Sequence, residues 1–437
     1  MIPKLELSLS PERLDEGYPE EIATFGKFAI NSGELFLTEG FDSYLGGYRK
    51  GPLIAGYYVA EWLAWNWWRL RWEPSRSSDD WLFAHQLNSI GHGYQWPNLT
   101  IYSDGMRAIL TARRSALEAE PFRYAGAPTL IVPAQDYETA VDAFILQMLE
   151  RVAELGETNL HRLWRDLLAE RADTEMTKRR RLEALLGSEP DSGNEFQIEK
   201  FVEDARKLGQ AAVDEVAAEV GAEGLARNLH AEDFHDLARQ FGYEGRSSDS
   251  VRLRQSNAKP RHEEMEPWKV GAALAREIRE QESLGQVALS DTRLAEMAGT
   301  STHSLSSSGK AGAPFSFAVE SGPIRWRTVF RSARKTGRRF DLARMIGDHL
   351  LTEIEDRLHP VTNSTTWRQQ AQRSFAIEFL APIESVKDRL NGDFSLERQH
   401  DVADQFVVSP MAINSLLKNR GLLEHDDPFE DIYKFVA

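Results

Sequence analysis

Three sets of side chains in this sequence could do chemistry by their type and spacing. The first is aromatic: seven of the eleven tryptophans fall between Trp62 and Trp96, with His85, His92 and Asp104 close by in the chain. Indole rings can stack bases or wall a ligand pocket, and His with Asp can move protons or bind metal. Helical spacing favours a bulky core for the tryptophans. Two histidines seven apart share a helix face only if the helix runs on through Gly91. The second set is basic: Arg325, Arg327, Arg331, Arg334, Lys335, Arg338 and Arg339, with no acid among them. Such a block can bind nucleic-acid phosphates, an acidic partner, or acidic parts of the same chain. The third is the pair His349 and His359, imidazoles able to bind metal but set on either side of an expected helix end.

The elements that must position these groups follow from hydrophobic period. Strand-like runs stand at Phe25–Ile30, Leu35–Leu37, Leu99–Tyr102, Ala108–Leu110 and Thr129–Val132. Between them, Ile54, Tyr58, Trp62, Trp65, Trp68 and Trp72 recur at spacings of three and four, predicting one long helix buried all round. From Ala134 the pattern turns helical. Val141, Phe144, Ile145, Met148, Val152 and Leu155 form the first stripe, and further helices are expected around Leu160–Leu186 and Ile198–Val220. Tyr243–Glu264 is polar and nearly free of bulky apolar residues, which predicts a linker or long loop. A second loop, rich in Ser, Gly and Thr, is expected at Gly299–Ala313. Strands at Phe315–Val319 and Ile324–Phe330 follow, then a helix over Phe340–Leu358 striped by Ala343, Ile346, Leu350, Ile354 and Leu358.

Composition removes several classes. The 437 residues hold no cysteine, which excludes disulfide scaffolds, thiol nucleophiles and thiolate-bound zinc or iron–sulfur sites. The formal charge of −16 argues against a protein that coats nucleic acid indiscriminately, although it averages over the basic block. The most apolar stretch, Pro52–Trp72, carries Glu61, Asn66, Arg69 and Arg71, so a soluble helix is expected there, with no membrane partner and a cytoplasmic location. The length predicts several domains.

The C-terminal third carries three phrases in order. Arg338-Arg-Phe-Asp-Leu-Ala leads to Gly347, His349, Leu350 and Leu351. Phe375, Ala376, Glu378, Leu380 and Pro382 come next, then Phe406, Val408, Ser409, Ala412 and Leu416. Over about 100 of the 437 residues this resembles the ImmA/IrrE family of zinc metallopeptidases. In that family the first phrase carries HExxH, whose histidines bind zinc and whose glutamate serves as general base, and the second brings the third ligand. Here Arg344 and Asp348 stand at the histidine positions, Met345 at the glutamate and Gln369 at the third ligand. None can do the family's chemistry, and Arg344 with Asp348 has instead the i,i+4 spacing of an ion pair.

The resemblance thus implies a fold kept and a metal lost: a pseudo-metallopeptidase with no catalytic residues, no metal and no cofactor. The expected architecture is α+β and multidomain. It comprises a Trp-rich α+β domain over 1–133, a helical region over 134–242, a linker over 243–265 and a zincin-like α+β domain over 266–437 with a helix-turn-helix-like end. Active relatives cleave repressors, so the implied function is regulatory or defence-associated binding in a bacterium. The partner would be repressor-like, toxin-like or a co-encoded subunit, with DNA contacts through the basic block as an addition. Two alternatives stay open: a peptidase or nuclease using His85, His92, Asp104 or a remodelled His349 site, and a structural subunit of a larger assembly.

Overall fold

Leu5, Leu7 and Leu9 turn inward at every second residue, the mark of a strand with one face on a core. They belong to the first of two compact units, residues 1–198 and 199–437. A computed structural model describes residues 4–76, 78–115, 120–223, 229–254, 266–306, 313–352 and 356–423. The protein mixes helices with antiparallel sheets, as expected, but the division falls at 198/199 rather than at 133, 242 or 265.

In the first unit, β1 (Leu5–Pro11) and α1 (Pro19–Thr24) precede β2 (Phe25–Ser32), β3 (Leu35–Phe36), β4 (Gly40–Asp42), β5 (Gly47–Arg49) and β6 (Leu53–Ala55). The expected single Trp helix is two: α2 (Gly56–Trp65) and α3 (Trp67–Trp72). Asn66 breaks the run, and its side-chain amide donates to the Trp62 carbonyl at 3.0 Å. The break turns the stripe, so Trp67 and Trp68 are buried while Trp65 is 57% exposed. Ile54, assigned to the helix from its spacing, lies in β6. After α4 (Asp79–His85) come β7 (Leu99–Ser103), β8 (Arg107–Ala112), β9 (Phe122–Tyr124) and β10 (Leu130–Pro133). The strands form three small sheets: β1-β2-β3 with β6 on β2, β10-β8-β7, and β5-β4-β9. α5 (Ala134–Arg151), α6 (Asn159–Ala172) and α7 (Thr174–Leu186) close the unit. The predicted α5 stripe is buried through Val152, whereas Leu155 is exposed.

The second unit is entered through α8 (Glu195–Leu208), which ends at Gly209, a residue at φ +102 suited to a chain that must turn sharply. Then come α9 (Gln210–Glu223) and α10 (Ala231–Phe241). The linker expectation fails at its start: Tyr243–Ser250 is β11, hydrogen-bonded inside a sheet. Its side chains alternate between half-buried and exposed, so the strand is held by main-chain pairing and leaves no apolar signature. Residues 255–265 of that segment, like 307–312 of the second loop, lie outside the described residues.

The remaining elements are α11 (Pro267–Gln281), α12 (Asp291–Met297), β12 (Ala298–Thr300), α13 (His303–Ser306), β13 (Ser316–Gly322), β14 (Arg325–Val329), α14 (Lys335–Leu351) and β15 (Leu358–Val361). They lead to α15 (Trp367–Leu380), α16 (Ile383–Leu390), α17 (Leu396–Phe406) and α18 (Pro410–Asn419). The sheet order is β12-β11-β14-β13-β15, all antiparallel. Thus α14 stops well before Leu358, which opens a strand paired with β13, and the stripe residue Ile354 is not among the described residues. α14 and α15 touch closely at Gly347, where a Cβ would lie 2.6 Å from the Phe375 ring. At the C-terminal side α17 ends at Val407, at φ +53, and α18 follows, its cap Ser409 accepting from the Ala412 amide. Arg420 reaches Glu378 on α15 at 3.2 Å, so this end packs on the helix bearing the second phrase.

Candidate functional site

α14 and α15 bring three of the four degenerate positions, Arg344, Asp348 and Gln369, into one buried hydrogen-bond network. Arg344 projects from α14 and donates through Nη2 to the Thr362 carbonyl at 2.7 Å and to Gln369 Oε1 at 2.5 Å. Gln369 is fixed in turn. Its Oε1 accepts from the Thr362 amide at 2.9 Å and its Nε2 donates to the Pro360 carbonyl at 3.1 Å. Met345 is buried among the apolar residues of the unit. The expected Arg344–Asp348 ion pair does not form. Asp348 pairs instead with Arg368, one residue before Gln369 on α15.

Asp348 is fully buried and its two oxygens accept from four donors. Arg368 grips it with both prongs, Nε to Oδ1 at 2.7 Å and Nη2 to Oδ2 at 2.6 Å. Gln372 Nε2 reaches Oδ1 at 2.7 Å, and His359 Nδ1 reaches Oδ2 at 2.8 Å. Burial alone would raise the pKa of this carboxyl, but the Arg368 charge and these hydrogen bonds hold it far below the usual range. Glu215, from α9, behaves oppositely. Burial lifts it to about 7 against the pull of Arg368 and of the Thr366 hydroxyl, which donates to it at 2.6 Å. Arg344 is drawn down to about 10 by burial, partly offset by Asp341 and Glu219.

His359 is where this cluster borders a cleft. Only its Nδ1 is bound, and among the described residues nothing hydrogen-bonds its Nε2. The ring stacks on Trp326 with centroids 4.7 Å apart and meets the His349 ring edge-on at 5.7 Å. Burial brings His349 down to about 4, with the neighbouring His359 and Arg252 charges adding to the effect. Both imidazoles and Trp326 line a cleft of about 850 Å3, with Asp356, Arg252 and Arg357 at its wall. The arrangement presents a carboxylate-held histidine to a cavity large enough for a small ligand.

The basic block does not act as one surface. Arg338 and Arg339 are buried. Arg338 donates to the Ser332 and Ser304 carbonyls, and Arg339 to the Val407 and Leu289 carbonyls and to Asp291. Lys335 pairs with Asp291, Arg327 with Glu244, and Arg331 donates to the Pro314 carbonyl. Arg325, Arg331 and Arg334 are the exposed arginines of the set. A block contiguous in sequence is thus divided between core struts and surface, because β14 and the start of α14 turn its members in different directions.

The N-terminal candidates do not converge on one site either. His85 is buried against Trp81, with Nδ1 on the Ile101 carbonyl at 2.7 Å and Nε2 on Glu73 at 3.0 Å. His92 stacks on Tyr58 at 3.8 Å. Asp104 is held by Arg107 and by the Met106 and Arg107 amides. Sequence reasoning missed Arg368, Gln372 and Glu215. No signal marked the first two: they are two of six polar residues among the first eight of α15, and the sequence does not say which of these face inward.

The residues present do not fit the zinc that the resemblance would bring. The first position is a cation, both oxygens at the second already serve four donors, and the third position's oxygen accepts from Arg344 and the Thr362 amide. Among the described residues no three His, Asp or Glu side chains are placed to hold a metal ion, and no helix is long and apolar enough to cross a membrane. No family model, no curated protein and no solved structure matches the chain.

Proposed function

We propose that the second unit is a pseudo-metallopeptidase of ImmA/IrrE type that works by binding a partner protein in a regulatory or defence-associated setting. The observation that supports this reading is that Arg344, Asp348 and Gln369 are all buried, with every ligand position turned to internal hydrogen bonding. A buried network of this kind fixes two helices and a strand without chemistry. The partner would be a repressor-like or toxin-like protein or a co-encoded subunit, and the same binding role accommodates a place in a larger assembly. The test is the metal content and peptidase activity of the full chain, with capture of the products of neighbouring genes. Stoichiometric zinc, or an activity abolished by a chelator, overturns the reading.

A second reading has its own observation: the Asp348-held His359 with a free Nε2 beside His349 in the 850 Å3 cleft. Such a pair can act as a general base on water, which would make the protein a metal-independent hydrolase. Assays of proteolysis and nucleolysis on the wild-type and His359→Ala proteins separate the two readings. A hydrolytic activity lost in the variant favours the second; none in either favours the first.

A further inference from the structure

One face of the sheet in the second unit carries an unresolved charge conflict. β11 and β14 run antiparallel with Glu244 opposite Arg327 and, one row further along the same face, Arg246 opposite Arg325. The first row is matched: Arg327 Nη2 lies 2.7 Å from Glu244 Oε1. The second sets two guanidinium groups against each other at cross-strand neighbours, a placement that costs stability. Among the described residues neither side chain has an ion pair or hydrogen bond, and both are exposed. On its other side Arg325 faces Gly322, which offers no side chain to shield it.

The row is built in rather than a loose end. Gly299, at φ +65, lets β12 approach so closely that a Cβ there would lie 2.3 Å from the Arg246 carbonyl oxygen. The bulge between Gly245 and Ser250 in the β11–β12 pairing lies at this point. Both arginines line a groove of about 920 Å3 whose wall also holds Thr300, Ser301 and Arg293. Five arginines and three acids line it, a positive balance in a chain of net charge −16. Two of those acids are already engaged, Glu244 with Arg327 and Glu296 with Arg293.

We propose that the Arg246–Arg325 row is a phosphate-binding site, taking an oxyanion carried by a nucleotide or by a nucleic-acid strand. A phosphate between the two guanidinium groups would accept from both and turn their repulsion into a clamp, with the Ser301 hydroxyl within the same groove. Carboxylates of a protein partner offer less charge and fewer acceptors per group, so phosphate is the favoured chemistry. The site lies on β11 and β14 and owes nothing to the degenerate metal positions, so it stands whether or not the pseudo-peptidase reading holds.

The test is titration of the full chain, at low salt, with ATP, with inorganic pyrophosphate and with a labelled single strand of about 16 nucleotides. Saturable binding of at least one probe is expected. It should weaken more than tenfold in the Arg246→Ala/Arg325→Ala double variant. For the strand, the slope of log affinity against log salt should fall in magnitude by about one to two. Tight binding of ATP or pyrophosphate would identify a nucleotide site; binding of the strand alone would identify a nucleic-acid site. The single variant Arg246→Glu keeps the test independent of folding: it supplies the missing acid opposite Arg325, so it should melt no lower than wild type while losing the probe. Absence of saturable binding of all three probes, or unchanged affinity in the double variant and in Arg246→Glu, overturns the proposal.

Discussion

Two buried carboxylates in this protein are built alike and end differently. In the first unit Glu73 is held by Arg69 at 2.6 Å, Arg76 at 3.0 Å and His85 at 3.0 Å. In the second, Asp348 is held by Arg368, Gln372 and His359. Each histidine also stacks on a tryptophan, His85 on Trp81 and His359 on Trp326. What separates them is the last ring nitrogen. His85 has both nitrogens on acceptors inside a closed core, whereas His359 leaves Nε2 to a cleft. The same components make a strut where both ring nitrogens of the histidine are bound and a candidate site where one of them is not.

The largest effect should come from removing a carboxylate that neutralises a buried arginine. Asp348→Ala leaves the Arg368 guanidinium without its bidentate partner and strips His359 and Gln372 of their acceptor. A loss of about 3–5 kcal/mol is expected for breaking a buried pair from one side. Chemical denaturation of the full chain, read by hydrogen exchange at peptides of α14 and α15, checks it. A loss below about 1 kcal/mol would mean that this network is not the strut that its geometry implies.

The next contrast lies in pH. Burial pushes the Glu73 carboxyl upward, but the His85 hydrogen bond and the Arg69 and Arg76 charges overcome it and bring it down to about 2, from an ordinary 4.5. A depressed carboxyl contributes stability that is complete above about pH 4.5 and is lost as pH falls toward 2. Glu215, raised to about 7, works with the opposite sign: its contribution is most favourable below pH 4.5 and declines as pH rises through 7. Glu215→Gln should therefore stabilise the second unit at pH 8, by up to about 3 kcal/mol, and leave it unchanged at pH 4. Equal exchange rates around α9 and α15 at both pH values, wild type against variant, would remove Glu215 from the comparison.

Much of the fold was legible where period and burial coincide. The five expected N-terminal strands appear within a few residues of their runs, and α5 buries the face that its spacing marks. Two failures share a cause. β11 reads as a linker because a strand carried by main-chain pairing needs no apolar side chains, and the helix stripe runs on to Leu358, the first residue of β15, because four residues are too few to show a period of their own. The site was half legible. Resemblance in phrases placed Arg344, Asp348 and Gln369 together, and the fold brings them into one cluster. It gave no access to Arg368, because whether an arginine four residues from Gln372 faces solvent or a buried carboxylate depends on what α14 lays against it. The basic block failed for the same reason in reverse: two of its members look inward.

A direct way to sharpen the comparison is to delete each histidine. His85→Ala strands a carbonyl and one side of Glu73 in a sealed core, and should cost about 2–3 kcal/mol. His359→Ala opens a position that already borders the cleft, where water can take up the bond to Asp348, so a cost of about 1 kcal/mol is expected. Paired melting curves measure the difference, and equal losses would erase the distinction between strut and site.

The smallest effect should come from His349→Ala. Its ring is half-buried, touches His359 edge-on and has no hydrogen-bond partner among the described residues, so little of the fold depends on it. A change within about 0.5 kcal/mol is expected. That near-neutrality makes the variant useful, because it alters the cleft without disturbing Asp348. If the cleft is a hydrolytic site, His349→Ala will reduce turnover at unchanged melting temperature. If the protein acts only as a binder through other surfaces, the same variant will capture partners as well as wild type. A His349→Ala protein that melts far below wild type would place this ring in the supporting network, and the boundary between the two kinds of histidine would have to be drawn beyond it.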